Sequence, residues 1–88
     1  MKKFVNAVEV DGEGLEALGG KQVLLFCMNY IYAGVLDGVN ETFVKLKEAR
    51  IVYETGPFNT SGYKDAQLLP GEVWYVQRGA IESFGEGK

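Results

Sequence analysis

Apolar residues recur along this chain in short alternating or continuous blocks, and glycine, asparagine and aspartate cut the blocks apart. That pattern predicts strands joined by tight turns. Phe4 to Val10 alternates weakly and reads as a short strand or an ordered arm, part of an N-terminal arm over residues 1–12 that ends in an Asp11-Gly12 turn. Glu13 to Leu18 predicts one or two helical turns with Leu15 and Leu18 on one face, Asp11 as a candidate N-cap and Gly19-Gly20 as the stop. Lys21 to Met28 reads as a first strand, and its apolar run implies burial on both faces, with the short helix as the cover. Asn29-Tyr30 reverses the chain, and Tyr30 to Val39 forms a second strand that Gly34 and Gly38 allow to bend sharply.

After an Asn40-Glu41 turn, Thr42 to Tyr53 predicts a long third strand. Val44 and Leu46 share one face and Lys45 and Lys47 the other, whereas Ile51 and Tyr53 fall on the opposite parity. A change of phase of that kind predicts a bulge or kink near Glu48 to Arg50. The segment 55–71 is rich in turn formers and reads as a long loop between strands three and four, with Phe58, Tyr63, Leu68 and Leu69 packing it onto something. Glu72 to Gln77 is the fourth strand, Arg78-Gly79 a turn, Ala80 to Phe84 the fifth strand, and Gly85 to Lys88 a frayed tail. The sum is a small bent-sheet barrel with open edges.

The length of 88 residues holds a single domain, 1–88, because a second core would not fit. A hydrophobic fraction of 47% in so short a chain leaves apolar surface only partly covered, which favours oligomerisation. The net charge of −3 argues against a dedicated duplex-DNA binder, since phosphate neutralisation supplies most of that affinity. Val73-Trp74-Tyr75-Val76 is a flat, apolar edge without proline or lysine, of the kind that aggregates unless paired. Head-to-tail pairing that rotates to closure satisfies such an edge.

Candidate chemistry is sparse. The chain has one cysteine, Cys27, inside an apolar run, and it reads as a small buried hydrophobe. It has no histidine, so the commonest general base and metal ligand is missing. Gly12-x-Gly14 and Gly85-x-Gly87 lack the context of a nucleotide loop. No catalytic set, metal site or cofactor is expected, and the chain reads as not an enzyme. Lys2 and Lys3 are followed by Glu9, Asp11 and Glu13 rather than by an apolar signal core, and the longest apolar run is too short to span a bilayer, which predicts a soluble, cytoplasmic protein. Lys45, Lys47 and Arg50 form a basic stripe, either a polyanion track or a solvated face beside Glu41, Glu48 and Glu54. Tyr30, Tyr32, Tyr53, Tyr63 and Tyr75 are strand aromatics that cover the barrel or an interface, or else stacking surfaces.

Two motifs in order carry a resemblance. Gly34, Leu36, Gly38, Val39 and Asn40 match the glycine-x-Leu-x-Gly pattern of the Sm1 motif, and Val76, Arg78 and Gly79 match the hydrophobic-strand-into-Arg-Gly pattern of the Sm2 motif. Over about residues 13–84 the chain resembles the Sm/LSm-like (Hfq-like) superfamily as a divergent member. A generic SH3-like barrel fits the same strands. The resemblance implies a mostly β fold, a short N-terminal helix followed by a strongly bent five-stranded antiparallel Sm-like (SH3-type) barrel, assembling into a closed homo-oligomeric ring of five to seven copies. It implies a subunit interface between the fourth and fifth strands, at Val73, Trp74, Tyr75, Val76, Ile81 and Phe84. It also implies single-stranded RNA bound near the pore by Asn40, Phe43, Arg78 and Gly79.

The match to the superfamily is incomplete. Thr42 stands where several members have a stacking aromatic, Phe43 has the parity of a core residue, Val44 replaces an asparagine and Glu41 puts negative charge where phosphate would approach. Base stacking is worth about 1–3 kcal/mol per base, so losing that platform weakens RNA binding. The other reading is a structural or protein-interaction ring without nucleic-acid binding, taking a protein partner through the loop 56–70.

Overall fold

The two-glycine break at Gly19-Gly20 does stop a helical element, and the apolar run behind it does begin the sheet. The computed structural model describes residues 12–88; the arm over 1–12, apart from Gly12, and the Asp11 cap lie outside the described residues. The helical element is a single 3-10 turn, Leu15–Leu18, with Gly14 at its N-cap position. Six antiparallel strands follow: β1 (Gln22–Cys27), β2 (Ile31–Val39), β3 (Phe43–Glu54), β4 (Asp65–Leu68), β5 (Val73–Gln77) and β6 (Ile81–Glu86), with a 3-10 turn at Arg78–Ala80 between the last two. No helix among the described residues is long and apolar enough to cross a membrane.

β3 organises the sheet. The strand order is β4-β3-β2-β1-β6, and β5 also pairs with β3. One edge of β3 is taken by β2, so β5 and β4 share the other: Phe43 to Lys47 pairs with β5, and Arg50 to Glu54 with β4. β5 and β6 follow one another in sequence but lie at opposite ends of the ladder, one on β3 and the other on β1. Each has a single strand partner among the described residues, and each leaves one edge of backbone groups unpaired by the sheet.

The phase change expected in the third strand is a bulge. Ala33 faces Arg50 and Val35 faces Lys47, so β3 carries one residue more than β2 there, and Glu48 takes φ 50 to absorb it. A second register shift falls between Leu36 and Gly38. Gly34 sits opposite the first bulge, where a Cβ would stand 2.9 Å from the Lys47 carbonyl oxygen. The glycines of β2 therefore coincide with the two places where the β2–β3 ribbon bends.

The core has two parts. Leu15, Val23, Leu25, Leu36, Val44, Leu46, Ala49 and Val76 form the larger cluster, with Leu18, Trp74 and Ile81 packed against it. Leu24, Ala33 and Val52 form the smaller, covered by Phe26, Ile31, Tyr63 and Ala66. Val23-Leu24-Leu25 is thus buried on both faces, as its unbroken apolar run implies. The helical turn covers only one face. The second cover comes from Tyr63 and Ala66, at and just before β4.

Two expectations need correction. The segment 55–71 is not one loop, because β4 pairs within it to the free half of the β3 edge. Nor does Gly85 to Lys88 fray. Gly85 and Glu86 belong to β6, and the Gly87 N–H donates to the Gln22 carbonyl at 2.8 Å.

Candidate functional site

The turn between β2 and β3 is built by Asn40. Its Oδ1 accepts from the N–H groups of Thr42 (2.7 Å) and Phe43 (2.8 Å), and its own N–H donates to the Phe43 carbonyl (3.0 Å). Asparagine suits this position because its short amide satisfies the donors of a tight reversal. The side-chain oxygen is consumed by the turn, so the Nδ2 is the part of the amide outside these bonds.

Arg78, 38 residues later, closes onto the same turn. Its N–H donates to the Thr42 carbonyl (2.9 Å) and its guanidinium donates to the Asn40 carbonyl (2.9 Å). A second guanidinium nitrogen pairs with the Glu16 carboxylate of the first 3-10 turn at 3.0 Å. The Glu16 carboxyl is held below its ordinary range first by a hydrogen bond to its own backbone and then by Arg78. Three elements meet at this guanidinium: the first 3-10 turn, the β2–β3 turn and the β5–β6 connection. Gly79 lies in that connection with open space where a side chain would be.

Of the four expected RNA-binding residues, Asn40, Arg78 and Gly79 are brought to one end of the sheet. Phe43 begins β3 beside them, but it does not enter the core. Val44 and Leu46 are the inward residues of that stretch, and Phe43 lies on the outer face with Tyr75, ring edge to ring face, at 5.0 Å between centroids and 83° between planes. The bulge that reverses the parity of β3 comes only later, at Glu48, so the first residues keep the opposite face.

The basic stripe is split. Asp37 on β2 pairs with Lys45 (3.2 Å) and Lys47 (3.6 Å), and Lys45, then Lys47, hold its carboxyl below the usual range. Arg50 lies beyond the bulge and lines a separate depression with Tyr63, Lys64 and Asp65. The tyrosines divide as well: Tyr30, Tyr53 and Tyr75 are more than half exposed, while Tyr32 and Tyr63 pack against the core.

The expected interface residues lie on the two end strands. Tyr75 on β5 and Phe84 on β6 are exposed, at 54% and 42%; Val73, Trp74 and Ile81 are half-buried; Val76 is buried in the chain's own core. A groove of 370 Å³ runs beside β5, between Trp74, Tyr75 and Ala80 on one side and Met28 and Tyr30 of the β1–β2 turn on the other. Met28 is the most exposed large apolar residue described, at 74%. The sequence reading placed it in the first strand, but its position just past the end of β1 at a reversal signals that it projects from the sheet. Cys27 borders the same groove, where burial pushes its thiol up, away from the reactive thiolate. Among the described residues no group of three or more histidine, cysteine, aspartate or glutamate side chains stands together to hold a metal ion.

Compared with protein-family models and with curated proteins, the chain matches none.

Proposed function

We propose that this chain is an Sm-like, ring-forming protein that binds single-stranded RNA weakly at the Asn40–Arg78 junction. Copies join β5 of one to β6 of the next until a ring of five to seven closes. The observation that carries the reading is the meeting of the two turns: the Arg78 guanidinium reaches the Asn40 carbonyl at 2.9 Å across 38 residues of sequence. These are the turns that hold nucleotides in Sm-like rings. The free edges of β5 and β6 support the assembly, and half-buried Phe43 with exposed Tyr75 against it supplies an aromatic surface near the junction in place of the one that Thr42 lacks.

Affinity is expected to be low because the nearby charges are already countered, Arg78 by Glu16 and both Lys45 and Lys47 by Asp37. Fluorescence anisotropy of a short U-rich RNA at low salt tests the reading. Arg78→Ala should abolish binding, and Glu16→Gln should strengthen it several-fold by releasing the guanidinium. Since Arg78→Ala also removes a structural contact, the gain in Glu16→Gln is the decisive arm. Wild type that binds no RNA at low salt removes the RNA claim.

A second reading, a protein-interaction ring without RNA, is favoured by the exposed Phe58 and Leu68 within 56–70, at 64% and 58%. If RNA fails, Phe58→Ser with Leu68→Ser should abolish capture of protein partners without changing the solution mass.

A further inference from the structure

The residues after β6 are bound as a ligand is bound. The Gly87 N–H donates to the Gln22 carbonyl at 2.8 Å, which carries the β1–β6 ladder one pair further. The Lys88 N–H donates to the Tyr63 hydroxyl at 3.2 Å. The Lys88 ammonium donates to the carbonyls of Thr55 (2.7 Å) and Pro57 (2.6 Å). It also stands 5.3 Å from the centroid of the Phe58 ring and 5.2 Å from that of Tyr63. Carbonyl oxygens take the hydrogens of an ammonium and ring faces take its charge, so these four groups hold the ammonium of half-buried Lys88 on its protein side. Among the described residues no carboxylate forms an ion pair with it, so the described groups of the cage are neutral and select by shape and donor geometry.

The loop holds this shape by its own bonds. Thr60 donates to the Pro57 carbonyl through its hydroxyl (2.8 Å) and its N–H (3.4 Å), and the Lys64 N–H closes onto the Thr55 carbonyl at 3.3 Å. Gly56 turns the chain at φ 70, and Tyr63 is seated on the smaller core cluster. Gly87 completes the fit, since a Cβ there would lie 2.8 Å from the Tyr63 hydroxyl and 3.2 Å from the Val23 carbonyl.

We infer that residues 55–63 form a binding site for a primary alkylammonium group, with Lys88 as its tethered occupant. When Lys88 is absent or displaced, a free alkylamine or the lysine of another polypeptide takes its place. The site lies at the end of β3 remote from Asn40, and it does not depend on the ring or on RNA.

The test is a titration with n-butylammonium chloride, read by NMR on the aromatic carbons of Phe58 and Tyr63. Lys88→Ala should respond saturably. Wild type should need several-fold more probe, because the tethered lysine competes for the same site. n-Butanol, of similar length but uncharged, should not saturate the site. Phe58→Ala in the Lys88→Ala background should remove the response while the fold stays intact, since Phe58 is 64% exposed. Equal titration of wild type and Lys88→Ala, an equal response to butanol, or unmoved rings in Lys88→Ala overturns the inference. An acetyl-Gly-Lys-amide peptide distinguishes the sources: tighter binding than n-butylammonium identifies a polypeptide lysine, and equal binding a free amine.

Discussion

Gly34 and Gly38 look alike in the sequence, and both interrupt the same apolar strand, yet they are constrained differently. A methyl group on Gly34 would meet the Lys47 carbonyl oxygen at 2.9 Å and the Ala49 Cα at 3.2 Å, both backbone atoms of the bulge. Backbone there can yield only by shifting β3 against β2, and overpacking of this kind costs roughly 1–3 kcal/mol. A methyl group on Gly38 would meet nothing within 4 Å. Urea unfolding should therefore show Gly34→Ala destabilised by about 1–3 kcal/mol and Gly38→Ala unchanged or stabilised by up to about 1 kcal/mol, because alanine there loses less chain entropy on folding and meets no neighbour. Equal changes would mean that the close approach at Gly34 is absent. The sequence marked both residues as bend sites, and both adjoin register shifts. What it left unsaid is that only one of them is wedged against a neighbouring strand, because that contact is made by residues 12 and more positions away.

Legibility at the level of elements follows the range of the interactions that make them. The long third strand, its faces at Val44 and Leu46, and the phase change near Glu48 could be read because alternation is a local property. β4 could not. Asp65-Ala66-Gln67-Leu68 has only Ala66 packed on the core, so it shows no burial alternation, and it is a strand because the second half of β3 offers it an otherwise empty edge. The clamp on Lys88 was invisible for a related reason, since carbonyls carry no mark in a sequence. The bulge itself makes a prediction. Glu48 adopts φ 50, where a residue with a Cβ is strained by about 1–2 kcal/mol. Glycine removes that strain but adds about 0.5–1 kcal/mol of unfolded-state entropy to be lost on folding. Glu48→Gly should therefore raise stability by about 0.5 kcal/mol, seen as a higher urea midpoint at unchanged slope. A lower midpoint would show that the Glu48 side chain contributes more than its backbone strain removes.

For the molecule as a whole, the question is what meets the outer edges of β5 and β6. The Arg78 N–H donates inward to the Thr42 carbonyl at 2.9 Å. By the alternation of an antiparallel ladder, the N–H groups of Trp74 and Val76 also face β3, and those of Val73, Tyr75 and Gln77 face away from it. The proposed ring needs these outward groups to bond to β6 of the next copy. Gln77 offers a way to remove one of them without disturbing the subunit. Its φ is −65, the value that proline imposes, and the preceding Val76 lies in a strand, as a residue before proline prefers. Gln77→Pro should thus leave each subunit folded, with an unchanged β-sheet signal in circular dichroism, while it deletes an edge donor and places a ring where the neighbouring strand would lie. Light scattering should then show wild type as a closed oligomer at micromolar concentration and Gln77→Pro shifted to monomer. A wild type that is already monomeric, folded and free of aggregation rules out the ring. An oligomer of unchanged mass in Gln77→Pro places the subunit contact elsewhere, and the groove beside Met28 and Tyr30 then becomes the surface to mutate next.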